Sequence, residues 1–437
     1  MLKKACTVIL SLMMFVMLVP KAAFADPVSP MATGTVALIF DVASEQMYYD
    51  TDGDGTPEPG SEYPDDGTWS WDGTDTLTLT NFVWQTSADN AQGRAVALYI
   101  VGGDLTLDIE GTNTFEVTGT HDGISSAGIV VYYDVDSITI TGNGVLNAKG
   151  GHVTGLDSVS YGIDAWNDVT IEGGTVNATG GFSEDLRSVG VTATVLSVAG
   201  GTLNANSTSS PFCEGVDVED VQIDGGTLNA TGANFTDSQY GYSFGISFWG
   251  DFAILDGTVT GIGATSALTG QPTNFSQPYT YWVNTAITPV HNGTTVSAGG
   301  TDYAWSDTYK YTRITTLAVY NLTVTAGAGG SVPASASGLY MVDEPVSVTA
   351  TPDAGNQFLN WTATGVTLGS DTANPASFKM PDVPVTLLAN FTIGPAQPVP
   401  NIPPTGDSTG VAGLVAALFV SALAAAGIFA WRRKQAK

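Results

Sequence analysis

The middle of this sequence predicts an all-β fold, a right-handed parallel β-helix, on three observations. A short phrase recurs, as IEGGTVNATGG from Ile171, VAGGTLNANST from Val198 and IDGGTLNATGA from Ile223. Aligning its asparagine gives Asn147, Asn177, Asn204 and Asn229, with Thr260 in a decayed copy, at intervals of 30, 27, 25 and 31 residues. A period of that size marks stacked units, none of which buries its apolar face alone. Each interval also holds three short runs of period two, and the density of Gly, Thr and β-branched residues excludes helical repeats.

Taken in chain order, residues 1–25 form a secretory signal: Lys3 and Lys4, an apolar run from Val8, and the small-x-small Ala23-Phe24-Ala25. Cys6 leaves with it, so Cys213 remains alone and no internal disulfide forms. The chain has 42 acidic and 13 basic residues; seven of the basic ones lie in its two ends, leaving 41 acids against 6 bases, or −35, in residues 26–405. Binding a polyanion needs a basic surface, so nucleic acid is excluded as a partner. The 43% hydrophobic residues suffice for a core, and the 52 glycines are expected at turns.

Residues 26–66 are expected to form an N-terminal cap. Within it Asp50-Thr51-Asp52-Gly53-Asp54-Gly55 places carboxylates at positions 1, 3 and 5 and glycine at 6, the first half of an EF-hand-type calcium loop. Ser61 stands where the closing acid belongs and Glu62 comes one residue late, so Glu58 is the substitute. The predicted ligands for Ca2+ are therefore Asp50, Asp52, Asp54 and Glu58; the alternative is a solvated acidic turn.

The β-helix is expected over residues 67–316. First strands are Gly162-Ile163-Asp164-Ala165, Gly190-Val191-Thr192-Ala193, Gly215-Val216-Asp217-Val218 and Gly245-Ile246-Ser247-Phe248. Second strands include Val169-Thr170-Ile171, Leu196-Ser197-Val198 and Val221-Gln222-Ile223, and the repeated phrase supplies the third. Gly173-Gly174 makes a corner, Val176, Leu203 and Leu228 point inward, and the four asparagines form an internal ladder. After each first strand an outward column runs Tyr132, Trp166, Thr194, Glu219 and Trp249, beside corner residues Asp134, Asp168, Asp220 and Asp251. Flat rings suit the apolar faces of sugars, which makes Tyr132, Trp166 and Trp249 the carbohydrate-binding candidates. The alternative is that the rings cover a loop and the aspartates end strands. Residues 266–316 lose the period and close the stack, with Tyr281-Trp282 and Trp305.

The run Thr68-Trp69-Ser70-Trp71-Asp72-Gly73-Thr74, then Leu77-Thr78-Leu79, Ile109-Glu110-Gly111-Thr112-Asn113-Thr114 and the GGT[VL]NATGG turns resemble the β-helical carbohydrate-binding domain of Firmicute surface proteins. The resemblance covers about residues 60–265 and implies polysaccharide binding, in some members with calcium. Enzymatic alternatives on such a fold are a lyase or a hydrolase. A lyase needs placed cations, and Arg94, Lys149 and Arg187 fall at scattered phases; a hydrolase needs convergent carboxylates, and Asp164 and Asp217 lie two turns apart. His121, His152 and His291 show no ligand spacing, so no catalytic residue and no enzyme is expected.

Tyr320-Asn321-Leu322-Thr323-Val324, Gly329-Gly330-Ser331-Val332, Phe358-Leu359-Asn360-Trp361 and Leu387-Leu388-Ala389-Asn390-Phe391 resemble, in that order, the divergent internalin-type B-repeat. This implies a small β module over 317–393, a spacer or protein-contact unit. Residues 394–406 follow as a Pro-rich linker with the sorting motif, and 407–437 as one C-terminal transmembrane helix, the uncharged Val411–Trp431, with a basic tail. Ile402-Pro403-Pro404-Thr405-Gly406 before an apolar span and basic residues resembles the Leu-Pro-x-Thr-Gly cell-wall sorting signal of Gram-positive surface proteins. That implies sortase recognition through Ile402, Pro403, Thr405 and Gly406, cleavage between Thr405 and Gly406, and transfer to peptidoglycan. Ile402 and Pro404 depart from the pattern. Together these readings predict a secreted, wall-anchored, non-enzymatic adhesin for polysaccharide; the alternatives are a protein-binding adhesin or structural spacer, and a polysaccharide-degrading enzyme.

Overall fold

The computed structural model describes residues 32–34 and 36–394, apart from 88, 90–91, 237–238, 276–277 and 298–302. The signal segment, the sorting motif (Ile402, Pro403, Thr405 and Gly406) and the span Val411–Trp431 lie outside the described residues. Among the described residues no helix is long and apolar enough to cross a membrane.

The chain builds a β-solenoid of about six turns, followed by a separate small β module. One turn shows how. Val159–Ala165, Asp168–Ile171 and Thr175–Thr179 are its three strands, and each pairs in parallel with its counterpart one turn away. In later turns the corners flatten, so that Arg187–Val198 runs two strands together and Phe212–Thr231 all three. Alternate residues fill the interior: Leu146, Val176, Leu203, Leu228 and Val259 stack in one buried column, and Ala148, Ala178, Ala205 and Ala230 in another. The resulting core is continuous from Leu38 to Ile314. At the corner of the repeated phrase Gly174 has φ +64°, a backbone region that costs a residue with a Cβ.

The asparagine ladder forms in the predicted register, Thr114, Asn147, Asn177, Asn204, Asn229, Thr260. It is not internal. Each asparagine sits between two inward residues, Val176 and Ala178 for Asn177, so period two turns its side chain outward, where it is half-buried. The amides bond head to tail: Asn177 donates to Asn147 at 2.9 Å, Asn204 to Asn177 at 2.8 Å, and Asn229 to Asn204 at 3.0 Å. Asn177→Ala removes two of these bonds, and at about 1 kcal/mol each the unfolding free energy should fall by about 1–2 kcal/mol. Denaturant titration should show a lower midpoint with an unchanged slope.

Both ends are capped within the same sheet. Ala37–Asp41 pairs in parallel with the first strand Arg94–Val101 and antiparallel with Gln46–Asp50. The strands of the N-terminal segment thus pair within the same sheet as the stack. At the far end Tyr311–Thr315 runs antiparallel to Thr258–Ile262 and to Tyr279–Asn284, burying Trp282 beneath Arg313. The module has a four-stranded sheet in the order Gly338–Met341, Val319–Ala326, Val385–Ile393, Asn356–Thr364, with its own core around Leu322, Trp361 and Leu387. It meets the solenoid directly: Leu339 N–H donates to His291 O at 2.8 Å, His291 stacks on Tyr340 at 3.9 Å, and Arg313 pairs with Glu344 at 2.9 Å.

Candidate functional site: an aromatic edge and two carboxylate clusters

The predicted column exists. Tyr132 N–H donates to Ile100 O, Trp166 N–H to Val131 O and Gly250 N–H to Glu219 O, while Ala193, Val218 and Phe248 pair in register just before it. Tyr132, Trp166, Thr194, Glu219 and Trp249 therefore occupy successive turns at one corner. Trp166 is 57% exposed and Trp249 65%. Three turns separate them, about 14 Å at the spacing of neighbouring strands. Glu219 between them is exposed and Thr194 half-buried, its hydroxyl donating to Trp166 O at 2.9 Å.

Tyr132 does not share that exposure. Its ring packs against Tyr99, with 5.6 Å between centroids, and its hydroxyl lies under Gly55 of the N-terminal loop, where a Cβ would approach it to 2.7 Å. The exposed ring at this end belongs to Tyr133, at 69%. Period two gave no warning, because the corner between Val131 and Ser137 is longer than in the other turns. The same extra length removes Asp134 from the aspartate column: Asp168 pairs with Ser137 instead. Three carboxylates at this edge act on backbone. Asp134 accepts from Gly102 N–H at 3.0 Å, Asp220 from Asp251 N–H at 2.6 Å and Asp104 from Ser137 N–H at 2.8 Å. Asp134, Asp220 and Asp104 thus tie one turn to the next.

The N-terminal loop does gather its acids. One carboxylate oxygen from each of Asp50, Asp52, Asp54 and Glu58 lies within 4.8 Å of the others. Asp50, at the end of a cap strand, is 2% exposed; its Oδ1 accepts from Gly55 N–H at 3.4 Å and its Oδ2 is buried with no partner. Burial raises the pKa of Asp50, with Gly55 and Gly53 N–H opposing. Glu58 is held by Thr51 N–H at 3.0 Å, the Thr51 hydroxyl at 2.6 Å and Asp52 N–H at 3.1 Å. Burial works to raise its carboxyl, but these donors outweigh it and hold the pKa at about 2.

A second cluster joins residues that alternation does not bring together. Arg94 and Arg187 share one outward column of the first strands, through Ser125 and Val159, rather than scattered phases. Arg187 Nη2 lies 2.7 Å from Asp217 Oδ2 and Nη1 3.4 Å from Glu214 Oε2. These carboxylates are shut in, with side chains 10% and 3% exposed. Burial, then the charge of Asp217, pushes Glu214 up to about 7; burial pushes Asp164 to about 6 against Arg94 and Arg187. Burial by itself opposes the charge on Arg187, but Glu214 and Asp217 outweigh it and raise its pKa. Glu214 and Asp217 lie on one face despite being three apart, because the strand is irregular at Gly215, which the pairing register skips. Alternation alone assigns the two to opposite faces, so the sequence held no signal for the cluster beyond the recurrent glycine.

The module over 317–393 resembles what its sequence suggested: residues 320–395 match the family model of the divergent InlB B-repeat domain. Comparison with curated proteins gives no match, and neither does comparison with solved structures.

Proposed function

We propose that this chain is an exported, wall-anchored, non-enzymatic adhesin that binds polysaccharide along the solenoid corner carrying Trp166 and Trp249. The observation that carries the reading is the pair of exposed indoles in one column, about 14 Å apart on a rigid stack, with the carboxylate of Glu219 and the hydroxyl of Thr194 between them. Two indole faces at fixed spacing suit an extended glycan chain better than a single sugar. The convergent carboxylates Glu214 and Asp217 are covered and both paired with Arg187, which favours a structural over a hydrolytic role for them. The B-repeat-like module, the sorting-signal resemblance of Ile402-Pro403-Pro404-Thr405-Gly406 and the exposed acidic surface fit attachment to peptidoglycan by a sortase and display outside the cell.

A glycan array run with and without chelator tests this. Trp166→Ala and Trp249→Ala should each weaken binding roughly tenfold, equivalent to ~1.4 kcal/mol per lost platform. Absence of any glycan binding would leave a spacer, a reading favoured by the direct packing of the module on the solenoid. Release of shortened sugar products would instead establish an enzyme.

A further inference from the structure

We infer that Asp50, Asp52, Asp54 and Glu58 hold one calcium ion, and that this ion fastens the N-terminal loop onto Tyr132. Four acids alone would not carry this. The decisive observation is Asp50, which is 2% exposed and directs into the cluster a carboxylate whose Oδ2 has no hydrogen-bond partner. A buried carboxylate oxygen left without a partner is costly, and a cation is the partner that four converging carboxylates admit. The donors are all oxygen, which selects a hard ion. Magnesium demands near-ideal octahedral geometry and keeps its waters, whereas four carboxylates on a turn that bends at Gly53 and Gly55 suit the larger, more tolerant calcium.

The position gives the ion its role. Gly55, with φ +78°, lies so close over the Tyr132 hydroxyl that a side chain there would meet it at 2.7 Å. Asp50 ends Gln46–Asp50, which pairs with Ala37–Asp41, and that strand pairs with the first complete turn. An ion between Asp50 and Glu58 therefore closes the loop on one corner of the stack and secures the edge strand that seals it. Calcium uptake here is independent of whether the tryptophan edge binds glycan.

The test is isothermal titration calorimetry of calcium into the chelator-stripped intact chain in about 0.15 M salt, where diffuse attraction to acidic surface is screened. Magnesium is titrated in parallel, and thermal melts are recorded with each ion. Asp50→Asn and Asp52→Asn should each lose one equivalent of calcium or bind it at least tenfold more weakly, and calcium should raise the melting temperature of the wild type more than that of either variant. Asp52 is exposed, so its variant keeps the test open if Asp50→Asn fails to fold. The same calcium stoichiometry and affinity in wild type and Asp52→Asn, or equal heats and melting shifts with magnesium, would overturn the inference.

Discussion

Arg187→Met is expected to lower the unfolding free energy at pH 8 by about 3–5 kcal/mol, the range for removing one partner of a buried ion pair. Methionine keeps the apolar stem of the arginine, so the loss isolates the charge. Without the guanidinium, Glu214 and Asp217 would share a site that excludes water with no counter-charge, so Glu214 must give up its charge at a pH where the unfolded chain keeps it. Equilibrium denaturation at pH 8 reads the effect. Repeating it at pH 5 should shrink the loss, because Glu214, already pushed up to about 7, is protonated there and no longer needs a counter-charge.

The same group sets a pH dependence of unusual sign. A carboxyl with a depressed pKa in the folded state loses stability as pH falls. Glu214 and Asp164 are raised, to about 7 and about 6 from ordinary values of 4.5 and 3.8. Across that window the folded chain binds more protons than the unfolded one, so stability falls as pH rises from about 4 to about 7. The net charge of the acidic chain works in the same direction, so the wild-type profile alone cannot assign the effect. Glu214→Gln can: it should make the fall in stability between pH 5 and 7 shallower, leaving the contributions of Asp164 and of net charge in place.

What the sequence made legible follows from what repeats express. The asparagine spacing carried the period, the period carried the register, and the register placed Trp166 and Trp249 in one exposed column. Facing direction was less secure. The ladder lies outside because period two, applied from Val176, turns Asn177 away from the core; a polar ladder had suggested an interior one. Tyr132 was misplaced because its corner is longer than the others and because the N-terminal loop, distant in sequence, folds back over it. The four acids of that loop were found because their spacing is local. Arg187, Glu214 and Asp217 were not, since they meet across a turn and depend on an irregularity at Gly215.

That irregularity recurs, and it corrects the expectation that the glycines sit at turns. Gly128, Gly162, Gly190, Gly215 and Gly245 lie inside first strands without left-handed backbone. At each, the first strand passes so close to the third that their backbones touch. A Cβ on Gly190 would come within 2.5 Å of Asn206 N, 2.5 Å of Gly215 O and 2.8 Å of Ala205 C, all main-chain atoms that belong to ladders and cannot step aside alone. Gly190→Val should therefore destabilise by at least ~3 kcal/mol, the upper end of the usual cost of overpacking, because no side chain can repack to absorb it. Gly60→Val is the contrast, since nothing lies within 4 Å of the Cβ position there. Its φ of +96° still strains a side chain, but in an exposed loop the cost should stay near 1–2 kcal/mol. If thermal unfolding ranks the two variants in the opposite order, backbone approach is not what fixes the recurrent glycine, and left-handed geometry at the corners is the stronger constraint on the stack.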